Sequence, residues 1–254
     1  MSDEVLVERR GYVQLITINR PEAKNALNLA AATIIRDAVD ELDESDDLRV
    51  GVLTGGGGTF SAGMDLKGFL RGESPSFEGR GLCGIGQTPP KKPLIAAVEG
   101  WALAAGFELT LACDLVIAGR SAKFGVPEVK RGLVAAGGGA VLMPQRVPLA
   151  VAMEFILTGD PVSAERAAEI GLITRMVEDG QAVEAAIELA ERIAANGPLA
   201  VQASKVIARR ALEWTGDKAW TEPLPIFAPV FASEDAKEGA TAFAEKRAPV
   251  WKGR

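Results

Sequence analysis

The chain of 254 residues contains no histidine. That absence removes Ser-His and Cys-His nucleophile pairs and the commonest zinc sites, because the base or nitrogen ligand they need is missing. Acid-base chemistry near neutral pH is left to carboxylates, lysines, cysteines and one tyrosine. Cysteine is nearly absent too. Cys83 and Cys113 make neither a disulfide framework nor a metal-ligand spacing, and Cys113 lies in an apolar helical run, where a thiol is a small buried hydrophobe. There is no basic excess: the net charge is -6, which removes any general attraction to nucleic-acid backbones or anionic lipid and leaves only local Lys or Arg side chains for a ligand's phosphates. No run reaches the roughly 18 apolar residues of a membrane span, the longest candidate being interrupted by Glu99, Glu108 and Asp114. The start, MSDEVLVERRGYVQLITINRP, is acidic and lacks a basic segment followed by an apolar one, so a cytoplasmic protein with no secretory signal is expected.

What is present suits a globular fold: 48% hydrophobic and 24% charged residues are enough for one main domain with a large core. Val13 to Ile18 and Val50 to Thr54 read as β-branched strands, the first closed by Asn19-Arg20-Pro21 and the second by four glycines. Between them Asn28 caps a helix to about Leu42, with Ala31, Ile34, Ile35, Ala38, Val39 and Leu42 at helical spacing. A right-handed crossover follows from that order. Leu94 to Val98 and Leu115 to Ala118 repeat it around a helix carrying Glu108. From Arg71 to Lys92 the pattern dissolves into Gly, Ser, Pro and charge, which predicts a mobile surface loop or a short irregular helix. Beyond Gly159 the chain reads as helical, with segments opening at Ser163, spanning Gln181 to Asn196 and running from Leu199 to Leu212.

Three glycine-rich matches fail on their context. Gly79, Gly81 and Gly84 satisfy G-x-G-x-x-G, but no clear strand precedes them and IGQTPPKKP cannot continue a helix. Gly55 to Gly58 lacks both the third glycine of a dinucleotide fingerprint and the Gly-Lys-Ser/Thr of a P-loop. Thr59 to Gly63 imitates a nucleophile elbow, yet no histidine exists to activate Ser61.

Three other segments each follow a predicted strand: TGGGGTFSAGMDL at Thr54 to Leu66, AAVEGWALAAGFELTLACDLVIAG at Ala96 to Gly119, and AKFGVPEVKRGLVAAGGGA at Ala122 to Ala140. With NRPEAKNALN at Asn19 to Asn28 and EGATAFAEKRAPVWKG near the C-terminus, they occur in the order and spacing of the crotonase, or enoyl-CoA hydratase/isomerase, superfamily, and the chain resembles that family over nearly its whole length. The resemblance implies an α/β fold, a crotonase-type spiral of repeated ββα units, with residues 1–195 as the core holding the active site and 196–254 as a C-terminal helical region that builds a homotrimer or dimer of trimers. It also implies an enzyme acting on an acyl-CoA thioester, most simply a hydro-lyase adding water to a trans-2-enoyl-CoA. Neither metal nor redox cofactor is needed, coenzyme A being part of the substrate. A double-bond isomerase, a carnitinyl-CoA dehydratase-like enzyme, suggested by PEVKRGLVAAGGG, and a non-catalytic acyl-CoA-binding protein are the alternatives.

By family position, the backbone N–H groups of Met64 and Ala105 would hold the thioester oxygen as charge develops on it. Losing one such donor costs on the order of 3 kcal/mol of barrier. Glu108 and Glu128 match the two glutamates of family hydratases, one as base and one as acid. Glu108 lies in an apolar helix, where a carboxylate is costly to bury and its pKa should rise. For either glutamate alone, an exposed or salt-bridged residue is the ordinary reading. Coenzyme A would lie across the FSAGMDL loop, near Ala62, Gly63, Asp65 and Leu66, with Lys24, Ala26 and Lys246 as further contacts. Each lysine taken alone reads as a solvated side chain.

Overall fold

The computed structural model describes residues 4–254. Strands β1 (Val5–Arg10) and β2 (Val13–Ile18) form an antiparallel pair, and helix α1 (Leu29–Glu44) leads to β3 (Val50–Gly55), which lies parallel to β2. Asn28 starts α1 as expected: its side chain accepts from the Ala31 N–H, and Ala31, Ala32, Ile35, Ala38, Val39 and Leu42 form the buried face.

The next stretch holds α2 (Leu66–Leu70) and a small hairpin, β4 (Ser76–Phe77) with β5 (Gly81–Leu82). The reading of Arg71 to Lys92 as a mobile surface loop is corrected here. Leu82, Cys83 and Ile85 are fully or almost fully buried, and Arg80 makes two hydrogen bonds to Asp40 of α1, at 2.7 and 2.8 Å. The segment escapes periodicity because turns at positive φ, at Gly79, Gly81, Cys83 and Gly84, rather than a strand or helix repeat, bring those side chains inward.

Strands β6 (Leu94–Val98) and β7 (Trp101–Leu103) then precede α3 (Ala105–Ala112), and β8 (Leu115–Gly119) and β9 (Lys123–Gly125) precede a 3-10 turn at Pro127–Arg131. This is the ββα repeat in physical form. In each unit the first strand joins a six-stranded sheet of order β1-β2-β3-β6-β8-β11, and the second joins a small sheet, whose order is β10-β9-β7. Beyond these come α4 (Gly139–Arg146), α5 (Leu149–Thr158), β10 (Val162–Ser163), α6 (Ala164–Glu169), β11 (Arg175–Val177) and α7 (Ala182–Ala194). The large sheet is parallel apart from β1 and is covered on both faces, as buried β-branched strands require. Val13, Leu15, Ile95 and Ala97 face the alanine stripe of α7, while Ile16, Ile18, Ala96 and Val98 face the core that contains α1 and α3.

The C-terminal part is α8 (Pro198–Arg210), α9 (Lys218–Thr221), α10 (Leu224–Ala232) and α11 (Glu234–Glu245). Helices α8 and α10 bury no residue, and Leu212, Trp220, Phe231 and Phe243 stand exposed. No helix among the described residues is long and apolar enough to cross a membrane.

Candidate active site

Strand β7 delivers the chain to Ala104, which adopts φ 50° and ψ -129° and turns it into α3. That conformation is natural to glycine and strained for alanine, and it leaves Ala105 as the first residue of the helix. Opposite lies the loop between β3 and α2, fastened to the segment before α1. Its Ala62 N–H donates to the Lys24 carbonyl, the Leu27 N–H to the Gly63 carbonyl, and the Asp65 N–H to the Leu27 carbonyl. Neither the Met64 N–H nor the Ala105 N–H meets an acceptor among the described residues. Gly63 lets the two backbones approach: a Cβ there would stand 2.8 Å from the Ala104 Cβ and 3.5 Å from the Ala105 nitrogen. Met64 and Ala105 line one cavity of 370 Å³, together with Glu108 and Glu128. The positive end of the α3 dipole lies at Ala105, where a developing oxyanion gains most.

Every residue of α3 is buried, and Glu108 is 4% exposed. Its Oε1 accepts from the Gly139 N–H at 2.8 Å. A Cβ on Gly137 would fall 2.5 Å from Oε2, so the Gly137-Gly138-Gly139 turn is a cradle only glycine can make there. Burial pushes the Glu108 pKa up to about 7; the cradle's N–H groups oppose that rise and the nearby charge of Glu128 adds to it. Glu128 sits half-buried in the 3-10 turn, and its Oε2 is buried without a hydrogen-bond partner among the described residues. Burial raises its pKa as well, opposed by its own backbone N–H and by Arg131. The Glu128 charge thus disfavours ionisation of Glu108, after burial as the larger cause.

Residues 8–254 match the enoyl-CoA hydratase/isomerase family. The chain belongs to that family. A crystal structure of an enoyl-CoA hydratase from Mycobacterium tuberculosis superposes over 100% of both chains, with a TM-score of 0.97 and 57% identity. Enoyl-CoA hydratase EchA19 of the same organism is 45% identical, covering 99% of this chain and 97% of the relative. Carnitinyl-CoA dehydratase of Salmonella typhi is 39% identical over the full length of both. The fold is thus that of the crotonase-type hydratases.

Of the other positions the family resemblance pointed to, Ala62 and Leu66 line the same cavity, whereas Gly63 lies behind it as the close-approach point. Asp65 is engaged elsewhere. It caps α2 by accepting from the Lys67 and Gly68 N–H groups and pairs with Arg20 at 3.0 Å. Ala26 gives its carbonyl to Arg20, and neither it nor the exposed Lys24 lines the cavity. Lys246 is an exposed C-cap of α11, also outside the lining. The Arg71 to Lys92 segment supplies Pro75 and Leu82 to the cavity wall, while sequence reasoning missed Phe69, Arg131, Leu133 and Val134 there. They lie in loops or in elements of two to five residues, too short to carry a period, so only the three-dimensional structure gathers them. Among the described residues, no group of three or more His, Cys, Asp or Glu could hold a metal ion.

Proposed function

We propose that this hydratase-like acyl-CoA hydro-lyase adds water reversibly to a trans-2-enoyl-CoA, giving the 3-hydroxyacyl-CoA, with Glu108 and Glu128 as the proton-transferring pair. One carboxylate takes a proton from water as its oxygen bonds to the β-carbon. The thioester oxygen gains negative charge, which the Met64 and Ala105 N–H groups stabilise without reorganising. The other carboxyl then protonates the α-carbon, so the pair still holds one proton after turnover, now on the group that began as the carboxylate, and exchange with solvent resets it. The observation that carries this reading is that two raised, inequivalent carboxyls line one cavity beside two free backbone donors. An isomerase needs only one carboxyl to carry a proton between carbons, so the second favours hydration.

The lining also favours a neutral acyl chain over the trimethylammonium of crotonobetainyl-CoA. Phe69 is its one aromatic ring among the described residues, and Arg131 places a cation there. Coenzyme A lies across the loop at Ala62 to Leu66, its phosphates reaching Lys24 and Lys246, and no metal or redox cofactor takes part. Residues 1–195 form the catalytic core, and the exposed apolar side chains of 196–254 support a trimer or dimer of trimers.

Product analysis tests the reaction. Incubating the protein with trans-2-enoyl-CoA of graded chain length and with crotonobetainyl-CoA should give 3-hydroxyacyl-CoA from the former at higher kcat/KM. Formation of a 3-enoyl product alone would establish isomerisation, and binding without turnover of any substrate would establish an acyl-CoA-binding protein.

A further inference from the structure

Helices α3 and α4 are each eight residues long and are tied at both ends. At the beginning of α4, the Gly139 N–H holds the carboxylate of Glu108, one turn into α3. At the end of α4, Arg146 turns its guanidinium onto the last turn of α3, where Nη2 donates to the Leu111 carbonyl at 2.8 Å and to the Cys113 carbonyl. Arg209 of α8 donates to the Ala112 carbonyl between them, at 2.6 Å. Three successive carbonyls that α3 leaves without helical partners are therefore taken by two arginines.

The geometry points to Arg146 as a positioning residue for the hydration proposed above: by fixing the end of α3 against α4, it holds Glu108 on the N–H groups of the Gly137-Gly138-Gly139 turn. The chemistry of its surroundings supports a positional role rather than a paired charge. No carboxylate lies within ion-pair distance of Arg146 among the described residues, since Asp114 is taken by Lys205 at 2.6 Å and Arg209 at 2.8 Å. Burial and the neighbouring Arg209 disfavour the charge on Arg146, the more distant Asp114 favours it, and the groups that touch its guanidinium are the carbonyls at the negative end of the α3 dipole. The groups facing it are Asp114, Arg209 and the Cys113 thiol, and those facing Glu108 are Glu128 and the glycine N–H groups. Because α4 carries both contacts on eight residues, with Pro144 leaving one helical hydrogen bond unmade between them, the Arg146 contacts help fix its place, and releasing its far end lets the glycine turn move relative to Glu108. Weaker N–H bonds disfavour the carboxylate, so the Glu108 pKa rises.

The test uses Arg146→Gln and Arg146→Lys in the full chain with carboxyl-13C glutamate, the Glu108 resonance being assigned by its loss in Glu108→Gln. With the fold intact by circular dichroism, Arg146→Gln should titrate Glu108 at higher pH and lower kcat for trans-2-enoyl-CoA about ten- to a hundredfold with KM little changed. Arg146→Lys should restore part of both, and it reads the same way where the Gln variant fails to fold. An unmoved Glu108 titration in a folded variant, or a loss of kcat that only follows the folded fraction, would overturn the inference. If the wild type turns over no enoyl-CoA, hydration fails as a reading while the titration still decides the clamp.

Discussion

The wall that presents Glu108 and the wall that presents Glu128 are built differently, although they share a cavity. Glu108 stands on a helix buried along its whole length, with a glycine turn donating to its carboxylate and arginines closing the helix behind it. Glu128 stands on a single 3-10 turn, half-buried, with one oxygen unpartnered and an exposed arginine three residues on. The contrast teaches that a site can set two like groups apart without a histidine. Burial raises both pKa values, opposed at Glu108 by the fixed N–H groups of the glycine turn and at Glu128 by its own backbone N–H and the exposed charge of Arg131. The free Ala105 N–H and Glu108 share one buried helix, whereas Glu128 stands apart from both.

The largest effect that sharpens this contrast is catalytic. Glu108→Gln should lower kcat for hydration by about 10² to 10⁴ in steady-state assays. The same substitution should do the opposite to stability. The folded-state pKa of about 7 exceeds the ordinary 4.5, so stability is fullest below 4.5, falls as pH rises between the two values and stays low above 7. At pH 8, Glu108→Gln should therefore recover up to about 3 kcal/mol in urea denaturation, and an unchanged or lowered midpoint would break the assignment of a buried, reluctant carboxylate. In the wild type, kcat/KM should decline as pH rises through about 7, where Glu108 loses its proton. Ala104→Gly should stabilise by roughly 1 kcal/mol, by relieving the positive φ at the start of α3, and retain activity. The smallest effect is on the other wall. Arg131→Gln should raise the Glu128 titration and change kcat/KM by less than about fivefold, as suits an exposed charge.

Legibility in the sequence follows the same division. The strands at Val13, Val50, Leu94 and Leu115 and the helix capped by Asn28 were readable because buried β-branched runs and helical spacing are local signals. The short strands β7 and β9 were not, since three residues carry no period. Helix α3 was readable as a helix from its small residues and apolar run, while the conformation of Ala104 that starts it has no sequence mark in an alanine. The glycine run at Gly137 to Gly139 was visible within the AKFGVPEVKRGLVAAGGGA segment, but its use as a cradle for Glu108 depends on contacts 31 residues apart in the chain. The Arg71 to Lys92 segment hid its buried Leu82, Cys83 and Ile85 among glycines, and Asp65 gave no sign that Arg20 and α2 already engage it.

The division of labour between the two walls is tested most directly by kcat for trans-2-enoyl-CoA hydration in Glu128→Gln, measured on protein of verified fold. A two-carboxyl mechanism requires a loss of about a hundredfold or more, comparable to that in Glu108→Gln. Full activity in Glu128→Gln would contradict it and leave Glu108 as the single proton carrier.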